Sequence, residues 1–207
     1  MKHFYKDIQG WFDFQDLYKE MVSIHDNAKF VEVGAWKGKS TCFLAVEILN
    51  QNKKIKLDAI DSYEYLTDEF SYNKDAPDVF KKNIKPFKFI KPIFKNSIKA
   101  AKLYKNESID FIFLDSEHSE EYATKEIKTW YPKVKMGGYI GGHDYVCFPH
   151  PDPAYVIGVG KAVNKIFDNN FKLYPGKTDK DGNLYGPSWL HKKERKSLQW
   201  NGIKDLN

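Results

Sequence analysis

Four short apolar runs of this chain each end in acidic or glycine-rich residues, and these ends carry its clearest chemistry. They are Glu32-Val33-Gly34, Ile60-Asp61, Leu114-Asp115 and His143-Asp144. In an open α/β sheet the ligand binds beyond the carboxyl ends of the strands, so we expect these four clusters to form one site. A carboxylate at the end of the second strand can accept both hydroxyls of a ribose, and Asp61 stands at that place.

The elements that must position these residues alternate between strand and helix. The apolar runs predict strands at Lys29–Val33, Ile55–Ile60, within Lys88–Phe94, at Ile109–Leu114 and at Tyr139–Gly142, with Gly137-Gly138 as the turn into the last. Amphipathic or apolar segments predict helices at 11–24, 40–49, 75–84, after a Ser119 cap, and near 161–167. Phe171–Tyr174 and Tyr185–His191 flank a turn-rich segment, 179–183, which predicts a terminal β-hairpin. The pattern is typical of a doubly wound α/β protein.

Length and composition favour one domain over residues 1–207, with a helical lid or brace at 1–27 and a substrate loop at 145–157. The formal net charge is +5, and lysines spread through helices and loops indicate a solvated surface rather than a nucleic-acid site. Two cysteines, Cys42 and Cys147, exclude a disulfide framework. With no apolar run long enough to span a bilayer, we expect a soluble, cytoplasmic protein without membrane contact.

The first cluster allows two interpretations. Gly38-Lys39-Ser40 ends like a phosphate-binding loop, and Phe111–Asp115 is similar to the strand that accompanies one, which would indicate a nucleotide-binding phosphotransferase or NTPase. Only three residues separate Gly34 from Gly38, however, where that loop needs four. The other interpretation is a nucleoside cofactor with a positive centre, for which acidic strand ends are favourable. A Rossmann-like binding module without catalysis is a third alternative.

Three longer stretches carry a resemblance to a known family. Val31–Ser40 with Asp61, Asp110–His118 and Gly137–Tyr145 resemble class I S-adenosylmethionine-dependent methyltransferases, and within them the branch of macrocin-type sugar O-methyltransferases. The resemblance continues through Gly158–Val163 and Ser188-Trp189, so it covers residues 28 to 192. It implies a Rossmann-like fold with a seven-stranded, mostly parallel sheet that ends in an antiparallel hairpin. It also implies methyl transfer to a hydroxyl of a sugar or other small molecule.

The resemblance further implies a cofactor site for S-adenosylmethionine. Glu32, Gly34 and Gly38 would line the methionine part, Asp61 would bind the ribose, and Asn96-Ser97 would lie beside the adenine. The full set of cofactor-binding residues expected on this basis is Glu32, Gly34, Ala35, Gly38, Ser40, Asp61, Ser62, Asn96, Ser97 and Asp115.

Metal-dependent relatives add a divalent ion and a base to this scheme. The matching positions are Asp115, His143 and Asp144 for the metal, and His118 for the base, with Asp115 and His118 as the catalytic residues. His143 departs from the sugar-modifying relatives, which carry a carboxylate there. Imidazole suits manganese, iron, nickel or zinc better than magnesium, so the expected divalent ion is one such as Mn²⁺, or Mg²⁺ if His143 is not a direct ligand. Aromatic residues of the N-terminal stripe would also suit a homo-oligomer.

Overall fold

A computed structural model describes residues 1–63, 74–147, 152–178 and 184–194. Nine strands are described: β1 (Asn27–Val33), β2 (Lys54–Asp61), β3 (Ile90–Phe94), β4 (Ile109–Leu114), β5 (Val134–Gly142), β6 (Lys172–Tyr174), β7 (Lys177–Thr178), β8 (Leu184–Tyr185) and β9 (Ser188–Lys192). Seven form one sheet in the order β3-β2-β1-β4-β5-β9-β6, in which β9 runs in the opposite direction to the other six strands. The predicted seven-stranded α/β fold with an antiparallel hairpin is confirmed.

Helices cover both faces of this sheet. They are α1 (Gln15–Ser23), α2 (Lys39–Asn50), α3 (Ala76–Ile84), α4 (Ser97–Ala101), α5 (Glu120–Trp130), α6 (Pro153–Val156) and α7 (Gly158–Phe167). One buried cluster joins α1, α2 and α3 to the sheet, and a second joins α4, α5 and α7 to its other face.

Alternation along the strands builds these two cores. On β1, Phe30 faces the first cluster while Val31 and Val33 face the second, and on β4 Phe111 and Ile112 divide in the same way. Because successive side chains of a strand point to opposite faces, a continuous apolar run fits a strand that is covered on both sides. This burial fixes the sheet rigidly, so the carboxyl ends of β1, β2, β4 and β5 are held at one edge.

Two sequence predictions need correction. The N-terminal helix begins at Gln15 rather than at residue 11, and Trp11 lies before it with 74% of its surface exposed. Strand β5 begins at Val134, so Gly137 and Gly138 lie inside the strand, near an irregularity in its pairing with β4. The pairing of β5 with β4 is interrupted after Val134 and resumes at Tyr139, and the two glycines lie in this interruption. From the sequence, the same glycines predicted a turn.

Other predictions hold or fall outside the described residues. Pro92 lies in β3, which is tolerated because β3 is the edge strand. The predicted hairpin turn at 179–183 and part of the predicted substrate loop, 148–151, lie outside the described residues. None of the described helices is long and apolar enough to cross a membrane.

Candidate functional site

A crevice with two lobes opens at the carboxyl ends of the parallel strands. The larger lobe, about 500 Å³, runs from Gly34 past Asp61 to Asn96. The second lobe, about 320 Å³, lies between the N-terminal segment and the end of β5. Both lobes are lined by Gly34, Trp36, Asp115 and Ser116, so they meet between the ends of β1 and β4.

Gly34 allows this close approach of β1 to β4. Its φ is +90°, and a Cβ atom there would lie 1.6 Å from the carbonyl oxygen of Asp115. The loop then turns through Ala35, which is buried, to Gly38, whose φ of +83° precedes α2. Gly38 faces Phe80 of α3 rather than the crevice. The lysine of the apparent phosphate loop, Lys39, donates to the carbonyl oxygen of Gly10, 2.8 Å away.

Glu32 lies beneath this loop, and its carboxylate is fully engaged. The Tyr18 hydroxyl donates to Oε1 at 2.8 Å, the Thr41 hydroxyl donates to Oε2, and Ser40 adds a further hydrogen bond. Burial raises the pKa of Glu32 against the effect of these donors. Glu32 lines neither lobe, so it braces the start of α2 under the crevice.

Asp61 ends β2 at the wall of the larger lobe. Its Oδ2 accepts the backbone N–H of Trp36 at 2.8 Å and its Oδ1 accepts that of Tyr63 at 3.0 Å, while Ser62 lies beside it on the wall. The Tyr63 hydroxyl donates to the carbonyl oxygen of Trp36 at 2.7 Å. The carboxylate therefore orders the loops after β1 and β2.

The far end of the larger lobe is formed by Asn96 and Ser97. Asn96 caps α4 by accepting the N–H of Ile98, and its amide donates to the Tyr122 hydroxyl at 3.1 Å. The Ser97 hydroxyl accepts the indole N–H of Trp130 at 2.8 Å. Both predicted residues therefore line the lobe, with Ser97 tied into the core behind it.

A buried carboxylate, Glu126, supports this end of the site. The Ser116 hydroxyl lies 2.8 and 2.9 Å from its two oxygens, and Ser97 forms a further hydrogen bond to it. Burial raises the pKa of Glu126 to about 7 against the lowering effect of both serines. Glu126 thus links the wall of the crevice to α5.

The second lobe holds the predicted metal residues. Ligand atoms of Asp115, His143 and Asp144 lie within 4.8 Å of one another. Asp115 is half-buried, and desolvation by the surrounding protein raises its pKa to about 6. His143 Nδ1 lies 3.1 Å from Asp144 Oδ2, and its Nε2 lies 2.7 Å from Asp13 Oδ1. Burial lowers the pKa of His143, but hydrogen bonds to Asp13 and Asp144 outweigh it and raise the value to about 10.

His118 approaches the same carboxylate from the other side. Its Nε2 lies 3.1 Å from Asp144 Oδ2 and its Nδ1 lies 3.1 Å from the sulfur of Cys147. Burial lowers the pKa of His118, but the hydrogen bonds to Asp144 and Cys147 outweigh it and raise the value to about 11. The two histidines in turn hold the pKa of Asp144 well below its usual range, although burial opposes them. Among the described residues, Asp144 Oδ1 is buried without a hydrogen-bond partner.

Two residues that contact the histidines of this lobe were not predicted from the sequence. Asp13 falls within the helix predicted at 11–24 without a role of its own, and Cys147 enters only the cysteine count. A single carboxylate inside the aromatic run from Trp11 to Phe14 was the available signal for Asp13, because an acid in an apolar run requires a buried partner. Cys147 carries no comparable signal, since its contact with His118 joins positions 29 residues apart.

The chain matches one family and several known folds. A family model described as "Methyltransferase domain" matches residues 31–145, more than half of the chain. No curated protein matches it. Among solved structures, it is similar to a Staphylococcus aureus protein assigned as a caffeoyl-CoA O-methyltransferase, with 15% identity, a TM-score of 0.63 and coverage of 90% of this chain and 87% of that one.

Two further structures are similar at 11% identity. A SAM-dependent O-methyltransferase from Thermotoga maritima has a TM-score of 0.59, with coverage of 90% of this chain and 67% of that one. A Clostridium thermocellum protein assigned as an rRNA methylase has a TM-score of 0.62, with coverage of 89% and 100%. At such identities these likenesses establish the fold alone, whereas the family match extends over all four parallel strand ends that build the crevice. The chain therefore belongs to the methyltransferase-domain family.

Proposed function

We propose that this protein transfers the methyl group of S-adenosylmethionine to a hydroxyl oxygen of a small molecule such as a sugar, with the help of a divalent cation. The observation that carries the proposal is the meeting of the two lobes between Gly34 and Asp115. A cofactor in the larger lobe and an acceptor in the second would place the methyl group and the hydroxyl side by side. Holding two reactants in line contributes much of the rate in such reactions. The family match and the SAM-dependent neighbour support the cofactor.

In the larger lobe, Asp61 would accept the ribose hydroxyls, since its carboxylate ends β2 at the wall of that lobe. Asn96 and Ser62 would border the adenine and ribose. Gly34 leaves the backbone bare where the methionine part approaches. Glu32, Ala35, Gly38, Ser40 and Ser97 would act by positioning the loops and helices around the cofactor.

In the second lobe, Asp115 and Asp144 fit a divalent cation. The buried Oδ1 atom of Asp144 has no partner among the described residues, and a cation would supply one. A bound cation would lower the pKa of a coordinated hydroxyl. Both ring nitrogens of His143 already contact carboxylates, so we assign it to positioning Asp144 rather than to direct coordination.

His118 would accept the hydroxyl proton. With its present partners it holds its own proton at neutral pH, because Asp144 and Cys147 stabilise the imidazolium. It can act as a base only where the negative charge of Asp144 is taken up by another partner. The protonation state of His118 therefore depends on what Asp144 binds.

The cofactor assignment is tested by calorimetric titration with S-adenosylhomocysteine and, separately, with ATP. We expect S-adenosylhomocysteine to bind, and Asp61→Ala to weaken binding at least about tenfold, since a hydrogen bond to a charged group contributes about 1.5–3 kcal/mol. Asp58→Ala is the matched control. Asp58 is also a buried carboxylate of β2, but it contacts Lys29 and Tyr104 and does not line the crevice. Binding of ATP alone would indicate the phosphotransferase instead.

The metal assignment is tested by titrating Mn²⁺ into the wild-type protein and into Asp115→Asn and Asp144→Asn. We expect each substitution to reduce Mn²⁺ affinity and to lower methyl transfer to hydroxylated acceptors, while S-adenosylhomocysteine still binds. Full metal affinity and activity in both variants would overturn the metal site. Cofactor binding with no transfer to any of a panel of glycosides and catechols would favour a binding module.

A further inference from the structure

One segment of the chain carries its entire positive charge excess. Residues 79–106 contain nine lysines and no acidic residue, whereas the remaining residues contain 24 lysines and arginines against 28 acids. The molecule is therefore divided into a strongly basic segment and a mildly acidic remainder. The earlier interpretation of the lysines as evenly spread does not hold for this segment.

The fold gathers these lysines around one edge of the sheet. The segment comprises most of α3, the edge strand β3 and α4. Since α3 and α4 belong to the cores on opposite faces, the lysines wrap around the edge from one face to the other. All nine are exposed. We name them the edge lysine surface: Lys81, Lys82, Lys85, Lys88, Lys91, Lys95, Lys99, Lys102 and Lys105.

Little in the described structure neutralises this surface. Lys81 lies 3.2 Å from Asp78, an exposed pair. Seven others have no described carboxylate within ion-pair distance: Lys82, Lys85, Lys88, Lys91, Lys95, Lys102 and Lys105. Like charges at this density repel one another and create a positive potential. A polyanion would relieve that repulsion.

An exposed aromatic ring lies within the surface. Phe94, at the end of β3, is 45% exposed, and the Lys81 ammonium lies 5.4 Å from its ring centroid. Lysines around an exposed ring are the combination that holds single-stranded nucleic acid, through phosphate contacts and base stacking. Phe94 and Leu103 are the only large apolar side chains exposed in this segment, too few for insertion into a lipid surface.

We propose that the edge lysine surface binds the phosphate backbone of single-stranded nucleic acid, with a base stacked on Phe94. The bound strand would pass the crevice at Lys95, which lines the larger lobe. This inference does not depend on the proposed methyl transfer, because the other eight lysines of the edge lysine surface line neither lobe.

The test measures fluorescence anisotropy of labelled oligouridylate and oligothymidylate of about 20 nucleotides, at about 50 and about 200 mM salt. The edge variant carries Lys85→Glu, Lys88→Glu and Lys91→Glu. The control variant carries Lys125→Glu, Lys161→Glu and Lys165→Glu, which change the net charge by the same amount at exposed positions of α5 and α7. Thermal melting and S-adenosylhomocysteine binding check that both variants are folded.

We expect the wild-type protein to bind either oligonucleotide with an affinity that falls as salt rises. The edge variant should bind at least about tenfold more weakly, with a salt slope smaller by about 2, and the control variant should bind nearly as the wild type does. Phe94→Leu keeps an apolar side chain and should weaken binding about tenfold with an unchanged salt slope. Tighter binding of one oligonucleotide would identify RNA or DNA as the source of the strand.

Three results would overturn the proposal. Equal weakening in the edge and control variants would mean that net charge alone attracts the oligonucleotide. Equal binding of polyglutamate would mean that the surface does not distinguish phosphates from carboxylates. Binding to phosphatidylserine vesicles without binding to either oligonucleotide at about 50 mM salt would assign the surface to a membrane.

Discussion

Gly34 controls how closely the first and fourth strands approach each other, and a matched glycine elsewhere can isolate that role. Gly34→Ala combines a positive φ with a Cβ atom 1.6 Å from the Asp115 carbonyl oxygen, whereas Gly137, with a φ of +79°, has nothing within 4 Å. We expect Gly137→Ala to cost about 1–2 kcal/mol of unfolding free energy and Gly34→Ala more than about 4 kcal/mol. Urea unfolding measures both. Equal costs would show that only the backbone angle matters.

Asp144 shows how a single carboxylate organises a site. It accepts from His118 and from His143 on the same oxygen, and its other oxygen has no described partner. Both histidines are stabilised as cations by this arrangement. The residue types at this point were predictable from the sequence, but the sharing of one oxygen was not, because it depends on how β4 and β5 place their ends.

Among the elements, the segment before α1 closes one wall of the second lobe. Asp13 lies 2.7 Å from His143, and the Phe14 ring stacks on Phe113 at 4.5 Å between centroids. We expect Asp13→Asn to lower the unfolding free energy by about 1–3 kcal/mol, because His143 loses a buried charged partner. Limited proteolysis should also cleave residues 9–14 faster. Asp16→Asn, at an exposed pair with Lys19, is the control and should change neither measurement.

Strand and helix prediction succeeded where one pattern was sufficient. The run Ile109–Leu114, apolar except for Asp110, predicted β4 with its observed ends, and the Ser119 cap is present. Prediction failed where distant contacts decide: the helix predicted from residue 11 begins at Gln15 because the preceding segment follows the crevice wall instead. The Asp13–His143 contact joins positions 130 residues apart, which no local pattern encodes.

At the scale of the whole molecule, four ionisable groups with raised pKa values make a contribution to stability that depends on pH in one direction over a wide range. The pKa values of Asp115 and Glu126 are raised to about 6 and about 7, and those of His118 and His143 to about 11 and about 10. A native state with raised pKa values binds more protons than the unfolded chain. The contribution of these four groups to the unfolding free energy therefore falls as pH rises from about 4.5 towards about 10, whereas His191, whose pKa is lowered by burial, acts in the opposite direction around its ordinary pKa of 6.5.

Glu126 allows one part of this dependence to be isolated. Its ordinary pKa is 4.5 and burial raises it to about 7, so its ionisation destabilises the native state progressively between those values and fully above them.

Glu126→Gln keeps the shape and an acceptor for Ser116 while removing the charge. From pH about 4.5 to about 8, the variant should gain on the order of 2–3 kcal/mol relative to wild type. Urea unfolding at both pH values measures this, with Glu121→Gln, exposed on the same helix, as control. A difference that stays constant with pH would mean that Glu126 ionises normally in the folded protein and that its serine partners, rather than burial, determine its charge.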